Sequence, residues 1–235
     1  MTEGIFITGT DTGVGKTTVS CALLRKYVAA GSRAVGMKPV AAGGGEDNDD
    51  LVALAAAGNV DASLSARCPY AFADAIAPHL AARAAGVTID LHRIRRSYEE
   101  LSARADHIVV EGAGGALAPL SDRIDMLDIA RALALPVLMV VGVRLGCLNH
   151  ALLTSLAIRA RGLKFVGWIA NSIDPAMVCQ DENVDTLERQ LCVPRIASIR
   201  WGHAEAPEWV SIDAIEERVN FFESSRSMLK LPGLS

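Results

Sequence analysis

Several groups of residues in this chain have the types and spacing for phosphate and metal chemistry. The first is Gly9-Thr10-Asp11-Thr12-Gly13-Val14-Gly15-Lys16-Thr17-Thr18, which follows the apolar run Ile5-Phe6-Ile7 and leads into an amphipathic segment from Thr18 to Ala30. Strand, glycine-rich turn and helix, in that order, suit a polyphosphate. Glycines let backbone N–H groups converge on anionic oxygens, a helix N-terminus adds partial positive charge, and a lysine adds a full one. Here Lys16 is that lysine, and the Thr17 hydroxyl is available to Mg²⁺. The loop departs from G-x-x-x-x-G-K-[ST], because its first glycine is Gly9 and Thr10 fills the expected position.

Glu111 ends the apolar run His107-Ile108-Val109-Val110 and is followed by Gly112-Ala113-Gly114-Gly115. A carboxylate at a ligand-facing strand end holds Mg²⁺ directly or through water in phosphate-loop proteins, and buried without a partner it would be costly. The glycines after it let N–H groups approach a second anionic or polar substrate. Lys38 closes the segment Ala34–Val40 at a carboxyl end, where open parallel sheets gather their ligands. In Gly43-Gly44-Gly45-Glu46-Asp47-Asn48-Asp49-Asp50, a carboxylate could cap the helix starting near Leu51 or complete a Mg²⁺ shell; Asp49 and Asp50 are the candidates. Asn171 ends another apolar run, placed to read a base edge or cap a turn. Leu145-Gly146-Cys147-Leu148-Asn149-His150 opens a helix whose free amides could take a carboxylate or simply start the helix, and His79 reads as a capping or packing residue.

The elements that must position these groups alternate. Helical spacing runs over 51–58, 76–85, 91–105, 126–135, 181–191 and 212–228, and buried-strand patterns over 34–40, 107–111, 136–143, 165–171 and 195–199, while 41–50 reads as a mobile loop. This predicts an α/β fold: a single domain over residues 1–235 with a mainly parallel sheet and helices on both faces. The 51% apolar content supplies a two-sided core. With 23 basic and 27 acidic residues and no polybasic arm, the charge balance argues against a dedicated nucleic-acid surface and leaves room for a local basic pocket. No apolar run is long enough to span a bilayer, no signal segment precedes the first strand, and five scattered cysteines without a C-x-x-C pair fit a reduced, cytoplasmic protein.

Taken together, the loop from Gly9 to Thr17, Lys38-Pro39-Val40, Glu111 to Gly115, and Val141-Gly142-Val143-x-Leu145-Gly146-Cys147-x-Asn149-His150 resemble the dethiobiotin synthetase family as far as about Asn171. The resemblance implies an ATP-dependent cyclo-ligase of the phosphate-loop NTPase type, acting as a homodimer. It would convert 7,8-diaminononanoate and CO₂ to dethiobiotin, with ADP and phosphate released, in biotin biosynthesis. By that similarity Lys16 and the amides of Gly13, Val14, Gly15, Thr17 and Thr18 hold ATP phosphates, and Thr17, Asp50 and Glu111 form the Mg²⁺ site. Lys38 bridges carbamate and γ-phosphate, while Thr12 with the turn of Gly112, Ala113, Gly114 and Gly115 faces the diamine. Leu145, Gly146 and Asn149 reach the carboxylate tail of substrate held by the partner subunit, and Asn171 reads adenine. Three positions depart from the family pattern. Ala42 stands where many members have serine, Gly13 where a larger acidic residue is common, and Arg200-Trp201-Gly202 where a proline usually precedes the aromatic. A nucleotide-dependent partitioning switch would share sheet and loop, but Thr10-Asp11-Thr12 lacks the second lysine of such switches, and Glu216, Glu217 and Glu223 give the last helix no cationic face.

Overall fold

A computed structural model describes residues 2–203, 207–211 and 215. In chain order its elements are β1 (Glu3–Gly9), α1 (Lys16–Ala29), β2 (Ala34–Met37), β3 (Val40–Ala42), α2 (Asp49–Ala57), α3 (Leu64–Arg67), β4 (Tyr70–Phe72), α4 (Pro78–Ala84), α5 (Leu91–Ser102), β5 (His107–Glu111), α6 (Met126–Ala132), β6 (Val137–Val143), α7 (Cys147–Ala160), β7 (Phe165–Ser172), α8 (Gln180–Leu191), β8 (Arg195–Ile199) and β9 (Glu208–Trp209). The main sheet has the order β2-β5-β1-β6-β7-β8-β9, parallel throughout except for β9, which runs antiparallel to β8. The parallel α/β expectation therefore holds. The helix expected over 212–228 lies outside the described residues.

Strand alternation builds a core on each face. Along β1, Ile5 and Ile7 face one side with Val109, Leu138 and Val140, while Phe6 faces the other with Val110, Val137 and Met139. Helix α1 covers the first side with Val19, Leu23 and Leu24. Helices α5, α6 and α7 cover the second through Ile94, Leu101, Leu127, Ile129 and Ile158. Each fully buried aliphatic or aromatic side chain contributes about 1.5–3 kcal/mol, so the strands that end at the candidate site are held firmly. The start of α6 is locked by a reciprocal cap between Asp125 and Asp128, and Arg161 at the end of α7 pairs with both carboxylates.

The region between Met37 and Ile89 differs most from expectation. The segment 34–40 is not one strand: β2 stops at Met37, and Val40–Ala42 leaves to pair with Tyr70–Phe72 in a separate two-stranded parallel sheet. Pro39 has no N–H to give a ladder, and the Lys38 N–H is taken by the Arg67 carbonyl. Within residues 41–50, Gly43, Gly44 and Gly45 lie in succession at positive φ before a 3₁₀ turn over Gly45–Asp47. The cap of α2 is Asn48, whose side chain accepts from the Asp50 and Leu51 N–H groups, rather than one of the aspartates. Both Asp49 and Asp50 fall inside the helix.

Candidate active site

The carboxyl ends of β1, β2 and β5 and the start of α1 enclose a cleft of about 780 Å³. Its polar floor is Thr12, Lys16, Thr17, Lys38, Asp50 and Glu111, and its apolar wall is Ala42, Ala75, Ile76, Ala77, Pro78 and Ala113. Residues from five separate chain segments thus share one space.

The phosphate loop turns through Gly13 (φ 73) and Gly15 (φ 88). The two glycines answer different needs. A side chain at Gly13 would meet nothing within 4 Å, so only the backbone angle favours glycine there, whereas a Cβ on Gly15 would stand 2.1 Å from Asn171 Nδ2. Val14 between them buries its side chain, and its carbonyl accepts from Asn171 Nδ2 at 2.8 Å. A carbonyl can only accept, so the Asn171 amide must turn its NH₂ to the loop and keep its carbonyl oxygen for another partner. Lys16 is buried and donates to the Asp11 carbonyl at 3.0 Å. Desolvation lowers its pKa to about 8, with the nearby Lys38 adding to the effect and Glu111 and Asp50 opposing it.

Around Thr17 the oxygens crowd. Its hydroxyl lies 2.8 Å from Asp50 Oδ1 and 2.9 Å from Glu111 Oε1, yet a hydroxyl has one proton to donate. Glu111 is fully buried, and its Oε2 has no hydrogen-bond partner among the described residues. The Lys38 ammonium bridges the cluster, 2.7 Å from Glu111 Oε1 and in contact with Asp50 Oδ2. Burial acts against the Lys38 charge, but Glu111 and Asp50 outweigh it and hold the pKa raised. For Asp50, burial is likewise outweighed by Lys38 and by the Thr17 hydrogen bond, so its carboxyl stays below the usual range. Among the described residues, no three His, Cys, Asp or Glu side chains gather as a metal cluster. Two carboxylates and a hydroxyl suffice for Mg²⁺, which takes oxygen ligands, often only one or two from protein, with phosphates and water supplying the rest. The orphaned Glu111 oxygen and the all-oxygen donor set fit that ion.

The structure separates the remaining candidates. Asp50 lines both the cleft and an adjoining vestibule, whereas Asp49 lines only the vestibule, with Asp47 and Asn48. Ala113 and Gly114 line the cleft, but Gly112 gives its N–H to the Ile7 carbonyl and packs against Phe6. Thr18 follows the loop in the first turn of α1. Asn171 lies behind the loop, against Val14 and Gly15. Leu145, Gly146 and Asn149 are exposed at the start of α7, where Gly146 adopts φ 94 and no side chain among the described residues caps the helix. Ala42 is on the cleft wall, with no hydroxyl to offer. Arg144 was not singled out in the sequence, yet it forms an ion pair with Asp11 at 2.6 Å.

A family model described as an AAA domain matches residues 3–208. The chain is 52% identical over 195 residues to the ATP-dependent dethiobiotin synthetase BioD of Nitrosospira multiformis, covering 83% of this chain and 86% of that protein. It is 51% identical over 199 residues to the protein of the same name from Aromatoleum aromaticum, covering 83% and 88%. Among solved structures, chloroplast FtsY from Physcomitrella patens aligns with a TM-score of 0.56 at 15% identity, covering 93% of this chain and 65% of that one. The MinC:MinD cell division complex of Aquifex aeolicus aligns with a TM-score of 0.56 at 19% identity, covering 99% and 98%. At such identities the structural likeness speaks to the fold alone.

Proposed function

This chain belongs to the ATP-dependent dethiobiotin synthetase family, and from that premise we propose that its cleft joins 7,8-diaminononanoate, CO₂ and ATP into dethiobiotin, ADP and phosphate. The observation that carries this reading is the Lys38 ammonium, buried between Glu111 and Asp50 beside the phosphate loop. A cation at that point can face both a phosphate and a carbamate.

In this reading one substrate amine takes up CO₂ as a carbamate, a carbamate oxygen attacks the γ-phosphate, and the second amine displaces phosphate from the mixed anhydride to close the ring. The chain contributes positioning and charge. Lys16 leaves the Asp11 carbonyl for the phosphates, and the amides from Gly13 to Thr18 line their path. Lys38 holds the carbamate oxygen toward the γ-phosphate, and Thr12 with Ala113 and Gly114 confines the diamine. The apolar wall at Ala42, Ile76 and Pro78 excludes water from the alkyl side. Thr17, Asp50 and Glu111 would hold Mg²⁺, which supplies charge neutralisation of the phosphate oxygens when bound. The Asn171 carbonyl oxygen faces the exocyclic amine of adenine.

We further propose a homodimer with a shared substrate site. Leu117, Leu145, Leu153 and Leu156 are large apolar side chains exposed on or near α7, at 54%, 90%, 57% and 63%, and such a patch suits a second copy of the chain. The uncapped start of α7 at Leu145, Gly146 and Asn149 then meets the carboxylate tail of substrate in the partner. The described residues hold no helix long and apolar enough to cross a membrane, and their five cysteines are free. We propose a cytoplasmic enzyme, since free cysteines suit a reducing compartment, and a single domain over residues 1–235, which the family match over residues 3–208 supports. Purified protein given ATP, Mg²⁺, the diamine and carbon-13 bicarbonate tests the reaction. Dethiobiotin carrying the label in its ureido carbon is the expected product; unlabelled diamine recovered intact would end the proposal.

A further inference from the structure

Arg144 has no part in the roles above, yet it reaches the phosphate loop from the end of β6. Its Nη2 lies 2.6 Å from Asp11 Oδ2, and Asp11 Oδ1 accepts the Thr12 backbone N–H at 2.7 Å. The Asp11 carbonyl also accepts from Lys16 Nζ at 3.0 Å. Asp11 is therefore tied at three points, and of the three only Arg144 comes from outside the loop, 133 residues away in sequence. The residue it steadies is Thr12, which lines the cleft. Opposite Thr12 is Gly114, where an added Cβ would stand 3.6 Å from Thr12 Oγ1. A small rotation of the Asp11-Thr12 peptide would change the width of that gap.

The side chains of Arg144 and Asp11 are 43% and 44% exposed. Solvent screening leaves such a pair little weight in overall stability, so its effect is to be sought in rate. Arg144 also directly precedes Leu145 and Gly146 at the start of α7. One residue thus links the helix start to the acceptor side of the loop.

We infer that Arg144 is a positioning residue for the acceptor: by gripping Asp11 it holds Thr12 at a fixed distance from the glycine turn. The inference rests on the reading of the cleft as the meeting place of diamine and ATP. It concerns the diamine side of the loop and leaves the ATP side to Lys16 and the amides.

The test compares wild type with Arg144→Gln, Arg144→Lys, Asp11→Asn and the double variant Arg144→Gln/Asp11→Asn. Three quantities are read: kcat/KM for the diamine, the ATP dissociation constant by calorimetry, and thermal unfolding to establish folding. Arg144→Gln is expected to lower kcat/KM for the diamine by about fivefold or more, with ATP affinity changed by less than about threefold. Arg144→Lys keeps a cation and should recover part of the loss. Asp11→Asn should lose about as much as Arg144→Gln, and the double variant should be no slower than either, because each substitution alone already breaks the one ion pair. A smaller loss in Arg144→Gln, losses that multiply in the double variant, or a fall in ATP affinity matching the fall in kcat/KM would overturn the inference. Failure of the wild type to form dethiobiotin would instead overturn the functional reading beneath it.

Discussion

Replacing Lys38 by methionine keeps the length and apolar body of the side chain and removes only its ammonium. Glu111, fully buried, then loses the cation 2.7 Å from Oε1, while Oε2 already has no partner among the described residues. Breaking a buried ion pair by deleting one partner costs about 3–5 kcal/mol, since the other charge stays behind uncompensated. Asp50 adds little to this sum, because its side chain is 40% exposed and water screens it. Lys16 offsets part of it. Burial, with the Lys38 charge adding to it, holds the Lys16 pKa down at about 8, so without Lys38 the Lys16 ammonium becomes easier to keep and stands in for the lost charge. We therefore expect the lower end, about 3 kcal/mol, which for a chain of this size is a fall in Tm of roughly 6–12 °C. Calorimetric unfolding in EDTA reads this directly. The double variant Lys38→Met/Glu111→Gln should recover most of the fall, because the buried charge is then gone from both sides. Turnover of the single variant should drop by about a hundredfold to a thousandfold, on the scale of removing an electrostatic group that acts in the transition state. An unchanged Tm together with near-normal turnover would refute both the buried pair and its catalytic role.

Lys16→Ala should abolish turnover through lost phosphate stabilisation, measured as phosphate release; activity near wild type would sink that role. Because burial lowers the Lys16 pKa to about 8, its charged form prevails below that pH and fades above it. Metal-free ATP binding, followed by calorimetry, should therefore weaken as pH rises through about 8, by up to about tenfold per unit, and a flat profile would contradict the assignment. Ala42→Ser restores a hydroxyl on the cleft wall and should be tolerated with a lower KM for the diamine; a large loss of activity would show that the position is packed too tightly. With its NH₂ committed to the Val14 carbonyl, Asn171 offers only an acceptor to the base, so GTP should be used at least about tenfold less well than ATP; equal use would place the base elsewhere.

The parts of the site that could be read from sequence are those where one segment contains both the scaffold and the chemistry. Ile5 to Thr18 is such a segment, and His107 to Gly115 is another: buried strand first, functional side chain at its carboxyl end. Lys38 was legible as a strand-end lysine, but the break at Pro39 that sends Val40–Ala42 into a second sheet was not, because its partner strand Tyr70–Phe72 is three residues long and carries little pattern of its own. The choice between Asp49 and Asp50 depends on the rotation of α2, which the Asn48 cap sets. Gly112 resembles its glycine neighbours in sequence, and only the sheet register reveals that its N–H is already taken by Ile7. Arg144 was the least accessible, since its meaning lies in a contact with Asp11 across the sheet rather than in any local pattern.

Use of ATP by this cleft to close a ring on a diamine is tested most directly by phosphate release from Mg²⁺-ATP with bicarbonate, with and without 7,8-diaminononanoate, while dethiobiotin is followed by mass. Phosphate release that depends on the diamine and matches the dethiobiotin formed is the predicted result. ATP hydrolysis indifferent to the diamine, with no product of that mass, would contradict the account and mark the chain as a nucleotide switch on the same fold.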